Sequence, residues 1–378
     1  MNSSSDVPLT RPTTDHLELD AVAKVLESGW LAGQGPRGTE LEAAFAELSG
    51  RAHAVAVNNC TAGLHLSLAA LGVGPGDEVL VADYTFPATG HAVLYCGARP
   101  RFVDVRRDTG TLDVECAAER ITTRTRGIIG VDALGVPADW TALESLAAEH
   151  DLFLVEDAAC SVGGFFDGRP CGAFGDVAVY SLHARKGITS GEGGMVVTND
   201  AGIAERVRRT SCFGMSSAFA RQHSDRLEIP EFAEVGYNYK LSDILAAIAL
   251  VQLGKLDGFM ARRRALAQRY ATLLDGVPGI HTPRIPDDRD PTWQTYAVTV
   301  DEDVDRDAAV LGLRAHGIGS TIGTYALHRE AVYDAPRDCP RSEELFRRHL
   351  ALPMYADLTA TDQERVVDAL IEVLRPTT

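Results

Sequence analysis

Lysine is almost missing from this chain. Among 378 residues there are four, Lys24, Lys186, Lys240 and Lys255, against thirty-two arginines. Any chemistry that needs a primary amine therefore has few places to sit. Long apolar runs are lacking too. No stretch of about 18 or more apolar residues occurs, so no transmembrane helix is expected. Positive charge is in deficit, with a formal net charge of -17. That excludes a nucleic-acid role, which needs a basic stripe against the phosphate backbone. A small phosphorylated ligand stays open, since it needs only a local pocket of donors. Cysteine pairs are absent: Cys60, Cys96, Cys116, Cys160, Cys171, Cys212 and Cys339 are scattered with no C-x-x-C. They read as reduced thiols, not as a disulfide framework or a zinc site. The first eight residues, Met-Asn-Ser-Ser-Ser-Asp-Val-Pro, lack the basic and apolar regions of a secretory signal, so a cytoplasmic location is expected.

What is present is alternation. Amphipathic spacing predicts helices over 15–28 and 39–48, separated by a turn-rich segment. Strand patterns at 78–82, 101–105, 127–131, 152–157, 177–182 and 195–198 then interleave with helical patterns at 64–71, 88–95 and 138–150. Short apolar strands alternating with helices predict an α/β fold with a mostly parallel sheet covered on both faces. Residues 211–234 read as a long polar loop, and 241–274 as one kinked helix or two in succession. From about residue 278 the character changes to a smaller α/β unit, with a strand at 295–300 and helices at 306–316 and 361–374. The length suits two packed domains. The expected division is an N-terminal helical segment at 1–50, a large domain at 51–255 and a small domain at 256–378.

Lys24 and Lys255 fall in amphipathic helical patterns and read as solvated surface amines. Lys240 precedes a helix and reads as structural or as a phosphate neighbour. Lys186 differs. It follows a strand and precedes residues 189–194, Thr-Ser-Gly-Glu-Gly-Gly, whose glycines let backbone approach a ligand. A lysine amine can form a Schiff base with an aldehyde cofactor such as pyridoxal 5'-phosphate, PLP. About thirty residues earlier, Asp157 closes an apolar strand, where ligands of open α/β sheets bind. A carboxylate there can keep the pyridine nitrogen of PLP protonated, or it can simply cap the next helix. Thr61 opens a helix, which suits either a phosphate site or a plain N-cap. Ser181 offers another hydroxyl for phosphate, and Phe86 is either a cover for a cofactor ring or a core aromatic. Gly72, Gly74 and Gly76 look like part of a dinucleotide fingerprint, but they follow a helix and precede a strand, so they form a turn.

In this order the segments resemble the DegT/DnrJ/StrS aminotransferases, sugar aminotransferases of PLP fold type I. The resemblance rests on 61–66, 74–79, 156–159, Lys186 with 189–194, and 236–239, and it runs from Ser28 to Pro353. It implies a large PLP domain, with a mostly parallel sheet flanked by helices, and a smaller C-terminal α/β domain. It also implies that Lys186 holds PLP and shuttles the proton, and that Asp157 pairs with the pyridine nitrogen. Phe86 and Ala159 would cover the two ring faces, while Thr61, Ala62 and Ser181 bind the phosphate. Asn238 would reach the same phosphate from the partner subunit of a homodimer with shared active sites.

Two departures stand out. Cys160 lies where many members carry Gln or His near the cofactor hydroxyl, and Thr189-Ser190 replaces Thr-Thr. A related dehydratase subgroup has histidine in place of the lysine, so Lys186 favours transamination. The expected reaction moves an amino group from L-glutamate or L-glutamine to a nucleotide-linked keto sugar, dTDP-4-keto-6-deoxyglucose first. A 3-keto sugar or an aminocyclitol is the alternative acceptor. A lyase and a non-catalytic PLP-binding regulator are the alternative classes. Trp30, Tyr325 and His328 are the candidate substrate residues. No metal site, nucleic acid or membrane partner is expected.

Overall fold

Runs of β-branched residues set the centre of the molecule. Val177–Ser181 and Gly194–Thr198 are buried at every position, as expected for strands covered on both faces. A computed structural model describes residues 6–215 and 229–375. Seven strands form the main sheet, in the order His53–Val57, Gly194–Thr198, Val177–Ser181, Phe153–Asp157, Thr125–Val131, Glu78–Ala82 and Arg99–Val103. The last five in that order pair in parallel, and the two at the other edge pair antiparallel.

The strand period of two separates the two faces. Val155, Val177 and Val179 pack with Leu64, Leu66 and Leu68 of the helix Cys60–Ala70. Leu154 packs on the opposite side with Trp140, Leu143 and Phe174, while Ala178 and Tyr180 pack there with Leu41 and Phe45. Fully burying each such aliphatic side chain stabilises the fold by roughly 1.5–3 kcal/mol. A charge at Val179 would break both the helix contact and the sheet. By the same alternation Asp157 belongs to the face of Val155, and Glu156 to the opposite face.

Near the C-terminus a second, antiparallel sheet runs Ile280–His281, Tyr296–Val300, His349–Leu352, Thr321–Ile322. Helices Leu256–Leu273, Arg306–Ala315 and Ala360–Val373 share its core, through Tyr270, Leu313 and Leu370 among others. A two-residue ladder, Tyr325 opposite Thr85 and Ala326 opposite Tyr84, ties this part to the main sheet just ahead of Phe86.

The helical pattern at 241–274 is two helices, Asp243–Gly254 and Leu256–Leu273, bent by 59° at Lys255. Lys255 is not a solvated amine. Its Nζ donates to Glu18 at 2.7 Å and pairs with Asp15 at 3.0 Å, locking the helix His16–Ser28 onto this bend. Lys24 is exposed, as expected. Of the expected loop at 211–234, residues 216–228 lie outside the described residues, and Met215 bridges Phe232 across them. No single helix among the described residues is long and apolar enough to cross a membrane.

Candidate active site

Strand ends and helix starts converge at one edge of the main sheet. Asp157 ends its strand and is 4% exposed. Two helices begin on its side of the sheet. Cys60–Ala70 starts from an N-cap at Asn59, whose side-chain oxygen accepts from Ala62 N–H at 2.8 Å. That leaves the first turn, with Thr61, presenting its remaining backbone donors. Gly194 lets the neighbouring strand press against this turn, because a Cβ there would stand 2.7 Å from the Asn59 carbonyl carbon and the Cys60 nitrogen. Ser181 pairs with Gly194 across the ladder and is buried. Its hydroxyl receives only a long 3.4 Å contact from His183 N–H, so it has capacity left for a ligand.

The second helix, Pro87–Tyr95, places Thr89 against Asp157. Thr89 Oγ1 donates to Asp157 Oδ2 at 2.7 Å, and Ala159 N–H donates to Oδ1 at 3.2 Å. Thr85 Oγ1 lies 3.2 Å from Thr89 Oγ1 and extends the chain. Burial drives the Asp157 carboxyl up, while Thr89, Ala159 and the Lys186 charge pull it down, and the net shift is upward. Lys186 reaches the same place from the glycine-rich turn. Its Nζ donates to Cys160 Sγ at 3.2 Å. Burial pulls this amine down, but Cys160 and Asp157 leave it above its ordinary value. Burial also drives the neighbouring Cys60 thiol well above its ordinary value.

A buried carboxylate, one lysine amine and an open helix N-terminus in one group suit a ligand with a cationic ring, an aldehyde and a phosphate. The profile of the DegT/DnrJ/EryC1/StrS aminotransferase family matches residues 12–371. The chain belongs to that family. Family membership makes it an aminotransferase, and the family is PLP-dependent. Among similar solved structures is the aminotransferase TlmJ from Streptoalloteichus hindustanus. It is 35% identical, with a TM-score of 0.91 over 98% of this chain and 99% of that one. DesV from S. venezuelae, solved with a ketimine intermediate, is also 35% identical, with a TM-score of 0.89 over 98% and 99%. The PLP form of the putative sugar aminotransferase Spr1654 from Streptococcus pneumoniae shares the fold. Its identity is 24%, with a TM-score of 0.90 over 97% and 98% of the two chains.

The residues present fit the cofactor of this family. The first turn of Cys60–Ala70, with Thr61 and Ala62, presents the N–H donors that suit a phosphate, and Asp157 keeps acceptor capacity beyond Thr89 and Ala159. Phe86 is 61% exposed and meets Tyr325 edge-on at 6.0 Å, so it is a free aromatic face and not a core residue. Ala159 and Cys160, which follow Asp157 in the chain, are half-buried. Asn238 is exposed and accepts from Lys240 Nζ, whose charge also sits 4.5 Å over the Phe213 ring. Trp30 packs beside Gly35 and Asp243 with its indole N–H unpartnered.

His328 is held within the protein. Its ring is buried, with Nδ1 2.6 Å from Asp83 Oδ2 and Nε2 3.4 Å from Glu343, and Asp83 also accepts its backbone N–H at 2.7 Å. These contacts clamp the segment carrying Tyr325 to the sheet. Sequence reading also missed Thr89. The signal available was the spacing of Thr85 and Thr89, two hydroxyls one helical turn apart around Phe86-Pro87. A cavity of about 380 Å³ lies apart from this group, between residues such as Leu134, Trp293 and His349. We assign the chemistry to the Asp157–Lys186 edge, because the titratable groups converge there.

Proposed function

We propose that this chain transfers an amino group from L-glutamate or L-glutamine to a keto sugar carried on a nucleotide diphosphate. The preferred acceptor is dTDP-4-keto-6-deoxyglucose, which gives the 4-amino-4,6-dideoxy sugar. The observation that carries this reading is the single lysine amine set beside Asp157 and Cys160 at the open edge of the sheet. Bound PLP supplies an electron sink and an amine carrier, alternating between aldehyde and amine forms. The chain's residues do the rest. Lys186 holds the cofactor and moves the proton in both half-reactions, as a general base and then a general acid. Asp157, aimed by Thr89, keeps the ring nitrogen protonated. Thr61, Ala62 and Ser181 anchor the phosphate, and Phe86 and Ala159 enclose the ring and exclude water.

The sugar acceptor is supported by membership of a family of sugar aminotransferases. We also propose a cytoplasmic homodimer in which Asn238 completes the partner's phosphate site. Exposed Phe213, Phe232 and Val235 near Asn238 in the chain supply apolar area for such an interface. The test is incubation with L-glutamate and a panel of dTDP- and UDP-linked 3-keto and 4-keto sugars. Formation of 2-oxoglutarate together with a 4-amino sugar supports the proposal. A 3-amino product or an aminocyclitol moves the acceptor. Sugar consumption with no keto acid released indicates a lyase, and cofactor binding without turnover indicates a regulator.

A further inference from the structure

The sulfur of Cys160 and the amine of Lys186 are 3.2 Å apart, and both residues are half-buried. Their backbones are held by two residues of one segment. Thr292 Oγ1 donates to the Cys160 carbonyl at 2.6 Å, and Gln294 Nε2 donates to the Arg185 carbonyl at 3.0 Å. The Lys186 N–H is itself fixed to the His183 carbonyl at 2.9 Å. The pair is therefore preorganised in a contact with no intervening atom.

Other described cysteines lack this combination. Cys60 is buried, with its sulfur toward the Val179 carbonyl at 3.8 Å. Cys96 faces the His65 carbonyl at 3.9 Å. Cys116 has a close cationic neighbour, Arg341, at 2.9 Å. A guanidinium stays protonated, however, and cannot act as a nucleophile. Cys160 alone among these faces an amine that can lose its proton and attack.

We infer that, in the cofactor-free protein, Cys160 and Lys186 are closed by a hydroperoxide into a direct sulfur–nitrogen bond. In the first step the Cys160 sulfur attacks hydrogen peroxide, the O–O bond breaks, and sulfenic acid and water form. In the second, Lys186 Nζ attacks that sulfur and the S–OH bond breaks. Starting from the ammonium, water leaves and one proton passes to solvent. Sulfur is oxidised and the peroxide reduced. Two equivalents of a thiol reverse the bond, returning thiol and amine and leaving as their disulfide. The consequence for activity rests on the reading of Lys186 as the cofactor lysine. A closed latch withholds the amine, so an empty enzyme under peroxide stress is parked in a recoverable state. Overoxidation of Cys160 is avoided at the same time.

The test treats cofactor-free protein with a small excess of hydrogen peroxide, followed by digestion without reductant and peptide mass mapping. The expected product joins the peptide of Cys160 to that of Lys186, lighter by two hydrogens than their sum. It is absent in Cys160→Ser, reversed by dithiothreitol, and formed faster as pH rises, because Lys186 must release a proton. Cys116 is the internal reference and should oxidise without any bridge to Arg341. Recovery of Cys160 as sulfenic or sulfinic acid, or as a disulfide with Cys60, with Lys186 unmodified, would overturn the inference. Prior loading with PLP separates the two readings. Loss of the bridge supports Lys186 as the cofactor lysine. A bridge formed equally well with PLP leaves the latch standing and counts against that assignment.

Discussion

Glu156 and Asp157 are neighbours in sequence and opposites in function. Glu156 points to the sealed face of the sheet. Its carboxylate accepts from Gly172 N–H at 2.6 Å and Phe174 N–H at 3.1 Å, close to Asp132 and Cys171. Asp132 is itself filled by Ser161, Trp140 and Ala138 N–H. Buried Arg51 closes the network on the carbonyls of Gly172, Phe174 and Gly175. Every strong acceptor there is answered from within the protein, so that network fixes a loop and does no chemistry. Asp157 also has two donors, but its neighbour is a lysine amine whose side-chain partner is the soft Cys160 sulfur. A carboxylate and an amine able to act as a nucleophile, side by side, mark the working face.

The comparison can be broken by substitution, beginning with the largest effect. Lys186→Ala should lower turnover by at least about 10³-fold, since both covalent attachment and proton transfer are lost. Its unfolding midpoint should stay near that of the parent, and amino-sugar assays with circular dichroism check both. Asp157→Asn should cost about 10²-fold in kcat with modest loss of stability, because the ring nitrogen loses its charged partner. Glu156→Ala should do the reverse. It strands two buried N–H groups and should cost about 3 kcal/mol in denaturant unfolding, while activity per folded molecule is kept. A Glu156 variant that folds normally but is inactive would erase the distinction between the two faces.

A smaller effect is expected at Thr89. Thr89→Val should lower kcat by about tenfold, the loss of one buried hydrogen bond to a charged group, and Thr89→Ser should restore it. Rescue by serine separates positioning from packing. The smallest effect is in pH. Burial raises Asp132 from 3.8 to about 6, and Glu156 is pushed up with it, first by burial and then by the Asp132 charge. A raised carboxyl binds its proton more tightly in the folded state, so this contribution to stability is full below about pH 4. It is lost as pH rises through about 6. Asp132→Asn should flatten that part of the stability profile, measured by urea unfolding between pH 4 and 7.

Much of this was legible in the chain. The strand at 78–82 was read at its observed limits, and the order of strand, Asp157 and Lys186 pointed to one sheet edge. Local patterning carries such elements, because a buried strand and its terminal residue declare themselves over a few positions. The strand His53–Val57 and the helix Pro340–Arg348 escaped. The strand is a short edge element, and the helix begins from Cys339 without a side-chain cap and keeps only a narrow buried stripe. The setting of His328 was not legible for a physical reason. Its partner Asp83 is 245 residues away, and nothing local distinguishes a clamped histidine from a free one. Thr89 was missed likewise, since its role exists only through Asp157, 68 residues on. The glycine-rich turn was legible as an approach point, but the Cys160 contact at its end required the fold.

The central claim is that the Asp157–Lys186 edge runs both halves of an amino transfer to a keto sugar. It is tested most directly by an absorbance titration of the PLP-loaded protein with L-glutamate, followed by dTDP-4-keto-6-deoxyglucose. The yellow band of the lysine-bound cofactor should fade with glutamate and return with the keto sugar. Lys186→Ala should lack the starting band. A band that forms and then stays unchanged by glutamate, glutamine and other amino donors would contradict it.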